Sequence, residues 1–331
     1  MIKLAVDLLG ADRSECELLD GVIDALNEND DLFVYILGTK EILEKELKGQ
    51  RVSPDRYEVI DSPEAITNHD NPMEVIRTKQ NSSMLKGITL AKDNDEVGAF
   101  VSCGSTGVLM VASMMIIKPL SPSIGPVLVC EFIKRNGDYI CLSDCGANLD
   151  CPADRIVSFA KMGSAYMKAK GVENPAVRLL ANGAEDSKGT AVIKETNALL
   201  KESGLNFKGN IEGSTILESD ADVIATDGYS GNVLLKTLEC GATSVIKDIR
   251  DYADTLEAEE KSKLLSLADK LYKRYDYNTQ GGAVLLGVKK PVIKGHGAAT
   301  AETVLSIVRI AYTLAKNNIV DKIKEEFNLT T

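Results

Sequence analysis

Three segments of this chain repeat one pattern: a short apolar run, a turn of small residues, and a stretch with the apolar periodicity of a helix. The pattern occurs at 97–117, 139–170 and 222–252. A short apolar run bounded by turn residues is typical of a buried strand. Strands that alternate with helices favour an α/β fold with a parallel sheet, in which ligands bind at the carboxyl ends of the strands.

The third unit is the most informative about function. An apolar strand at 223–225 is followed by DGYSGN at 227–232, and we expect a helix from 232. Such a turn offers unpaired N–H groups and the positive end of a helix dipole to an anion. Its two glycines let a ligand approach the backbone. An ordinary turn with a good N-cap would show the same residues, so this segment alone does not establish an anion site.

Composition excludes several classes of protein. The net charge is −11 and no basic run occurs, which argues against a nucleic-acid partner. No apolar segment is long enough for a membrane-spanning helix, and the first residues are too acidic for a secretory signal. Seven cysteines without a signal predict reduced thiols in the cytoplasm. Their spacing matches no zinc site, so we expect no metal.

The remaining patterns extend the α/β prediction along the whole chain. The predicted strands are 2–6, 33–38, 57–61, 99–102, 127–132, 139–144, 177–180, 207–211, 223–226 and 292–294. The predicted helices are 15–27, 40–48, 73–79, 82–92, 106–117, 154–170, 188–201, 232–252, 258–272 and 299–317. No linker is evident, so residues 1–331 are expected to form one intertwined unit with a central cleft. The charged amphipathic stretch 251–280 predicts a helical excursion that contacts a second copy, a membrane surface or a partner.

The order and spacing of several motifs resemble one known family, the bacterial phosphate acyltransferases of phospholipid synthesis (the PlsX family). The resemblance covers nearly the whole chain. It rests on HDNPMEVIRTKQNSSM at 69–84, FVSCGSTGVLM at 100–110, LSDCGANLDC at 142–151, NGAEDSKGT at 182–190, DVIATDGYSGNVLLKTLEC at 222–240 and GGAVLLGVKKPVIKGHG at 281–297.

The resemblance implies a three-layer α/β/α fold similar to isocitrate and isopropylmalate dehydrogenases, with two intertwined lobes around a mixed sheet, and a homodimer. It also implies an activity, the formation of acyl-phosphate from acyl-acyl carrier protein and inorganic phosphate. Such a protein would be cytoplasmic, either free or peripheral at the membrane.

The chain departs from the family pattern in its first loop, at Gly125, and at Ser105, which replaces an asparagine and still donates. The usual first loop, DAMGGDHAP, reads Asp7 to Ser14 here, with Ala11 in place of a glycine and Arg13 in place of a histidine. Gly125 replaces an arginine that could help to hold an anion. Lys294, shortly before His296, would compensate for a lost cation if it faces the cleft. These departures leave open a catalytically weakened homologue that binds carrier protein or acts as a scaffold.

In the expected mechanism phosphate attacks the thioester directly, so no enzyme nucleophile and no cofactor are required. The protein must hold phosphate near the carbonyl and stabilise the developing charge. We expect His296, Asn148 and Lys188 to serve catalysis, as a proton donor to the leaving sulfur, an oxyanion or phosphate donor, and a source of positive charge. The expected phosphate cradle comprises Gly104, Ser105, Thr106, Gly107, Asp227, Gly228, Ser230, Gly231 and Asn232.

Two substrate questions stay open at this level. Met110, Met114 and Met115 could line an acyl channel, although core packing explains them more simply. An acidic carrier protein requires a local basic patch, either Lys161, Lys168 and Lys170 or Lys270, Lys273 and Arg274. A phosphotransacetylase-like transfer between coenzyme A and phosphate is the alternative reaction.

Overall fold

The computed structural model of the protein describes residues 1–275 and 281–329. One mixed sheet runs through the molecule, with the strand order β3-β2-β1-β4-β11-β10-β5-β6-β9-β7-β8. Its strands are β1 (Ile2–Asp7), β2 (Leu32–Gly38), β3 (Tyr57–Asp61), β4 (Val97–Ser102), β5 (Val127–Ile133), β6 (Tyr139–Ser143), β7 (Val177–Leu180), β8 (Phe207–Ile211), β9 (Val223–Ala225), β10 (Ala283–Leu286) and β11 (Val292–Lys294).

Helices cover both faces of this sheet. They are α1 (Glu15–Glu28), α2 (Lys40–Leu47), α3 (Pro72–Thr78), α4 (Ser83–Asp93), α5 (Thr106–Ala112), α6 (Ala153–Ala169), α7 (Ala191–Glu202), α8 (Gly228–Ala253), α9 (Ala258–Tyr275), α10 (Ala301–Lys316) and α11 (Ile319–Glu326). One apolar core contains side chains from α1, α6, α7 and α10, and the other contains side chains from α3, α4, α5 and α8. The three-layer α/β/α class is therefore confirmed.

The strand registers show which strand ends lie next to one another. Strands β1 to β4 and β11 are parallel and form a first lobe, and strands β6 to β9 form a second. Strands β10 and β5 lie between the lobes, and each pairs antiparallel with both of its neighbours. The carboxyl ends of β1, β4 and β11 are directly paired, because Ser102 is the register partner of both Asp7 and Lys294. The end of β6 pairs with β5 close to the same level, so both lobes bring strand ends to the centre.

Most predicted elements are present, with four instructive differences. Strand β10 lies at 283–286, where the sequence suggested no strand. Helix α11 was also missed. Helix α7 begins after Thr190, whose side chain caps it, so Lys188 lies outside the helix. Helix α8 begins at Gly228, four residues before the predicted start, because the Asp227 side chain caps it. The predicted glycine-rich turn is therefore the first turn of a helix.

The predicted excursion at 251–280 is formed by the end of α8 and by α9, which pack against each other. Residues 276–280 of that prediction lie outside the described part of the chain. Leu267 and Tyr272 of α9 are exposed, and no described helix is long and apolar enough to cross a membrane. Contact of this hairpin with a second copy or a membrane surface stays a prediction.

Candidate functional site

A cavity of about 400 Å³ lies between the two lobes, at the carboxyl ends of the strands. The first lobe contributes the ends of β4 and β11 and two loops, and the second contributes the turn after β6 and the start of α8. The lining residues are Asp12, Asn68, Cys103, Gly104, Thr106, Leu128, Cys130, Cys145, Asn232, Leu235, Lys236, Ala283, Lys294, Gly295, His296 and Gly297. Four of the twelve predicted site residues therefore line one cavity: Gly104, Thr106, Asn232 and His296.

A chain of hydrogen bonds holds the turn after β4 in place. The Ser102 hydroxyl donates to Oδ2 of Asp7 at 2.7 Å and accepts the backbone N–H of Gly104 at 3.0 Å. Burial raises the pKa of Asp7 to about 6, although hydrogen bonds and Lys294 oppose the rise. The N–H of Gly104 is therefore used inside the protein, and Thr106, the first residue of α5, lines the cavity.

Lys294 supplies a cation to the same cavity. It ends β11, and its ammonium group donates to the carbonyl oxygens of Cys103 and Gly295. Burial lowers the pKa of Lys294, while its acidic neighbours, including Asp7 and Asp12, act in the opposite direction. An amine that is partly removed from water interacts more strongly with an anion than an exposed lysine does. Lys236 on α8 also lines the cavity, and its ammonium group forms an ion pair with Glu239.

His296 lies in the loop that joins β11 to α10. Its Nδ1 accepts the N–H of Ala298 at 3.2 Å, and the N–H of Asp12 donates to the carbonyl oxygen of Gly297 at 2.8 Å. These bonds connect the first loop of the chain to the histidine loop. Because Nδ1 accepts a hydrogen bond, the neutral ring carries its proton on Nε2. The imidazole is exposed and lies on the wall of the cavity, so it can exchange a proton with a bound molecule.

The start of α8 offers less to an anion than the sequence suggested. The N–H of Gly228 donates to the carbonyl of Asn148 at 2.7 Å, and the N–H of Gly231 donates to the carbonyl of Asp227 at 3.0 Å. Asp227 also accepts both the N–H and the hydroxyl of Ser230. The predicted cradle at Asp227, Gly228, Ser230 and Gly231 is thus occupied by the protein's own cap. From this turn only Asn232 lines the cavity, and its side-chain amide donates one hydrogen bond to the carbonyl of Cys145 at 3.3 Å.

Asp144 organises the second-lobe wall, and sequence reasoning missed this role. The residue is fully buried. Its Oδ1 accepts the N–H groups of Leu128, Gly146 and Ala147, and its Oδ2 accepts both the N–H and the side-chain amide of Asn148. Asn148 also donates to the carbonyl of Pro126 at 2.8 Å. Both hydrogens of its amide are therefore used, and the predicted catalytic donor has a structural role here.

Three other predicted residues lie outside the cavity lining. Lys188 is in the loop between β7 and α7, beside Gly183. Ser105 is buried at the start of α5, and Gly107 faces Pro72 of α3. The motif spacing pointed to the turn after β4, and the tertiary structure shows that Cys103, Gly104 and Thr106 of this turn line the cavity.

The departures from the family pattern have local explanations. Gly10 has a φ of +81°, and a Cβ there would lie 2.9 Å from the carbonyl oxygen of Ile66, whereas Ala11 needs no positive φ. Arg13 is half-exposed beside Glu17. A Cβ on Gly125 would lie 2.1 Å from Nη1 of Arg155. The guanidinium of Arg155 therefore occupies the space next to the position where the family has an arginine.

Three cysteines line the cavity, and the sequence did not place them there. Burial raises the pKa of Cys103 to about 12, and the pKa of Cys145 lies well above its ordinary value because of its hydrogen bond with Cys130 and its burial. Neutral thiols are poor nucleophiles, so these side chains form an apolar wall. Within residues 1–275 and 281–329, no group of three or more His, Cys, Asp or Glu residues could hold a metal ion.

Comparison with known proteins gives consistent relatives. A family model described as fatty acid synthesis protein matches residues 2–322. Phosphate acyltransferases from Bacillus subtilis and Clostridium tetani are 37% and 36% identical to this chain over 98% of both chains. A phosphotransacetylase from Streptococcus pyogenes has the same fold, with a TM-score of 0.61 and 19% identity over 95% of this chain and 94% of its own.

Proposed function

The chain belongs to the fatty acid synthesis protein family, and we propose that it transfers an acyl group from acyl-acyl carrier protein to inorganic phosphate for phospholipid synthesis. The relatives named phosphate acyltransferase support this reaction. The observation that carries the proposal is the convergence of Thr106, Asn232, Lys294 and His296 from both lobes on one cavity. Hydroxyl, amide and ammonium donors suit phosphate, and an imidazole suits proton transfer.

Each step of the proposed reaction uses a group in this cavity. Lys294 balances the charge of phosphate, and Thr106 and Asn232 orient its oxygens. One phosphate oxygen forms a bond with the thioester carbonyl carbon, and the carbon–sulfur bond then breaks. The Nε2–H of His296 donates a hydrogen bond to the departing sulfur, and the released thiolate takes its proton from water. Holding the two substrates in contact accounts for much of the acceleration, because it replaces a bimolecular encounter.

The carrier protein would dock on a basic surface beside this site. Of the two sequence-predicted patches, Lys168 and Lys170 form ion pairs with Glu326 and Glu131. Lys270 and Lys273 are exposed on α9 and border a surface cavity that is also lined by Asp269 and by Lys261, which pairs with Asp254. We therefore place carrier-protein docking on α9. The proposed assembly is a homodimer, since the excursion formed by α8 and α9 exposes apolar side chains.

The test measures acyl-phosphate formation from palmitoyl-acyl carrier protein and phosphate. His296→Ala should lower kcat by about 10²-fold or more, the usual contribution of a positioned hydrogen-bond donor to charge that develops in the reaction. The chain has one other histidine, His69, which is exposed and lies outside the cavity lining. His69→Ala is therefore the matched control and should retain the activity of the wild type.

A second pair of variants tests the cation. Lys294→Met should raise the KM for phosphate by about tenfold or more, because an ammonium–phosphate contact in a partly buried site is lost. Lys289→Met removes an exposed lysine near the start of the same strand and should leave that KM unchanged. Absence of turnover by the folded wild-type protein would refute the proposed reaction. If palmitoyl-coenzyme A is a substrate and palmitoyl-acyl carrier protein is not, the acyl donor is coenzyme A, as in the phosphotransacetylase-like alternative.

A further inference from the structure

A second, apolar cavity adjoins the candidate site. It has a volume of about 390 Å³ and lies between α8, α9 and the end of β5. Phe132 and Leu217 contribute to one wall, Leu238 and Ile246 to the α8 wall, and Leu271 to the α9 wall. A lining of this kind favours an apolar ligand, since it offers few partners to a polar one.

Leu235 lies at the boundary between the two cavities. This buried side chain lines both the cavity of the candidate site and the apolar cavity. At the far end Val245 is 58% exposed, so the apolar cavity runs from the interior to the surface. The α8 wall from Leu235 to Ile246 is about 16 Å long at 1.5 Å per residue. One layer of lipid tails in a bilayer spans about 15 Å, so the cavity has the length of a long fatty acyl chain.

We propose that the apolar cavity between α8, α9 and β5 holds the acyl chain of the substrate, with its carbonyl end at Leu235 and its methyl end toward Val245. This assignment rests on the proposed function, because the reaction requires that the thioester reach the phosphate while its tail stays out of water. Met110, Met114 and Met115 do not line either cavity. The α8 wall, and not the methionine-rich helix, therefore determines chain length.

Gly241 gives a precise way to shorten the cavity. It lines the cavity at an exposed position of α8, and a Cβ built there meets nothing within 4 Å. A phenylalanine ring can therefore turn into the cavity without displacing the backbone, and we expect Gly241→Phe to shorten it. We expect kcat/KM for a palmitoyl donor to fall by about tenfold or more relative to a butyryl donor, the effect of excluding two or more methylene groups. Gly241→Leu should give a smaller change in the same direction.

Two control variants separate the filling of the cavity from the effects of changing Gly241 or of adding a ring to α8. Gly241→Ala adds only a methyl group, and Ser244→Phe places the same ring at an exposed position of α8 outside the lining. Both should keep the palmitoyl-to-butyryl ratio of the wild type within about twofold, since neither shortens the cavity. An unchanged ratio in Gly241→Phe would overturn the assignment.

A binding measurement keeps the assignment testable without turnover. Calorimetric titration with palmitate should show binding to the wild type and to Ser244→Phe, and at least tenfold weaker binding to Gly241→Phe, because the ring occupies the same volume. Equal palmitate binding by all three proteins would refute the acyl site even if acyl-phosphate forms. Loss of a dimer in Gly241→Phe with unchanged palmitate binding would assign the cavity to a second copy of the chain instead.

Discussion

Replacing Asp144 with asparagine exchanges one carboxylate oxygen for an amide group and keeps the shape of the side chain. In the native protein five hydrogen bonds converge on this carboxylate, three on Oδ1 and two on Oδ2. All five groups donate. An asparagine can accept through only one of its two terminal atoms, so its NH₂ must face groups that also donate.

The expected loss of stability follows from this count. In the better orientation the carbonyl oxygen takes the place of Oδ1, and the two donors from Asn148 lose their acceptor. Each hydrogen bond to a charged group contributes about 1.5–3 kcal/mol, so the variant should lose about 3–6 kcal/mol of unfolding free energy. That is a large part of the about 5–15 kcal/mol that stabilises a typical protein.

The assay is urea unfolding followed by circular dichroism at neutral pH. Asp150→Asn is the matched control, because Asp150 belongs to the same turn but is exposed. It makes the same change in charge and should alter the unfolding free energy by less than about 0.5 kcal/mol. Equal stabilities of Asp144→Asn and Asp150→Asn would refute the argument that Asp144 holds this wall of the site.

Four further substitutions test other parts of the structure. Burial raises the pKa of Asp7 from 3.8 to about 6, so the native carboxyl binds its proton more tightly than the unfolded one. Stability should therefore fall by about 3 kcal/mol as the pH rises from about 4 to about 6, and Asp7→Asn should remove this slope in urea titrations. Gly231→Ala should abolish the folded yield, because its Cβ would lie 1.9 Å from the Asp144 carbonyl oxygen. Gly241→Ala, on the same helix but with open space around its Cβ, should raise the melting temperature through up to about 1 kcal/mol of helix propensity. Asn148→Ala should lower stability by about 1–3 kcal/mol while kcat changes less than about tenfold, since its amide supports Pro126 and Asp144; a larger loss of kcat at unchanged stability would restore a catalytic role.

Most helices and strands could be predicted from the sequence, because their apolar patterns depend on residues that are close along the chain. The parallel strands and most helices were recognised from apolar periodicity. Strand β10 was not, since Gly281, Gly282 and Gly287 give its segment the composition of a loop. The early start of α8 was missed for a related reason: the cap at Asp227 satisfies N–H groups that the glycine pattern suggested were open.

The residues of the candidate site could likewise be predicted only in part. The motif resemblance points to His296, Thr106 and Asn232 without any knowledge of tertiary contacts. It could not show that Lys294 joins them, that Asn148 supports Asp144, or that Lys188 lies elsewhere. These facts depend on which strand ends are neighbours, and strands β10 and β5 decide that by separating the two lobes.

The sequence by itself determined the α/β class, the family and the turns in which polar groups cluster, because these follow from local composition, period and spacing. Only the tertiary structure decided which donors remain available to a ligand. A backbone N–H in a glycine-rich turn can bind an anion or a neighbouring carbonyl, and the choice depends on residues distant along the chain. The apolar cavity beside Leu235 is likewise formed by α8, α9 and β5 together, and no one of these segments encodes it alone.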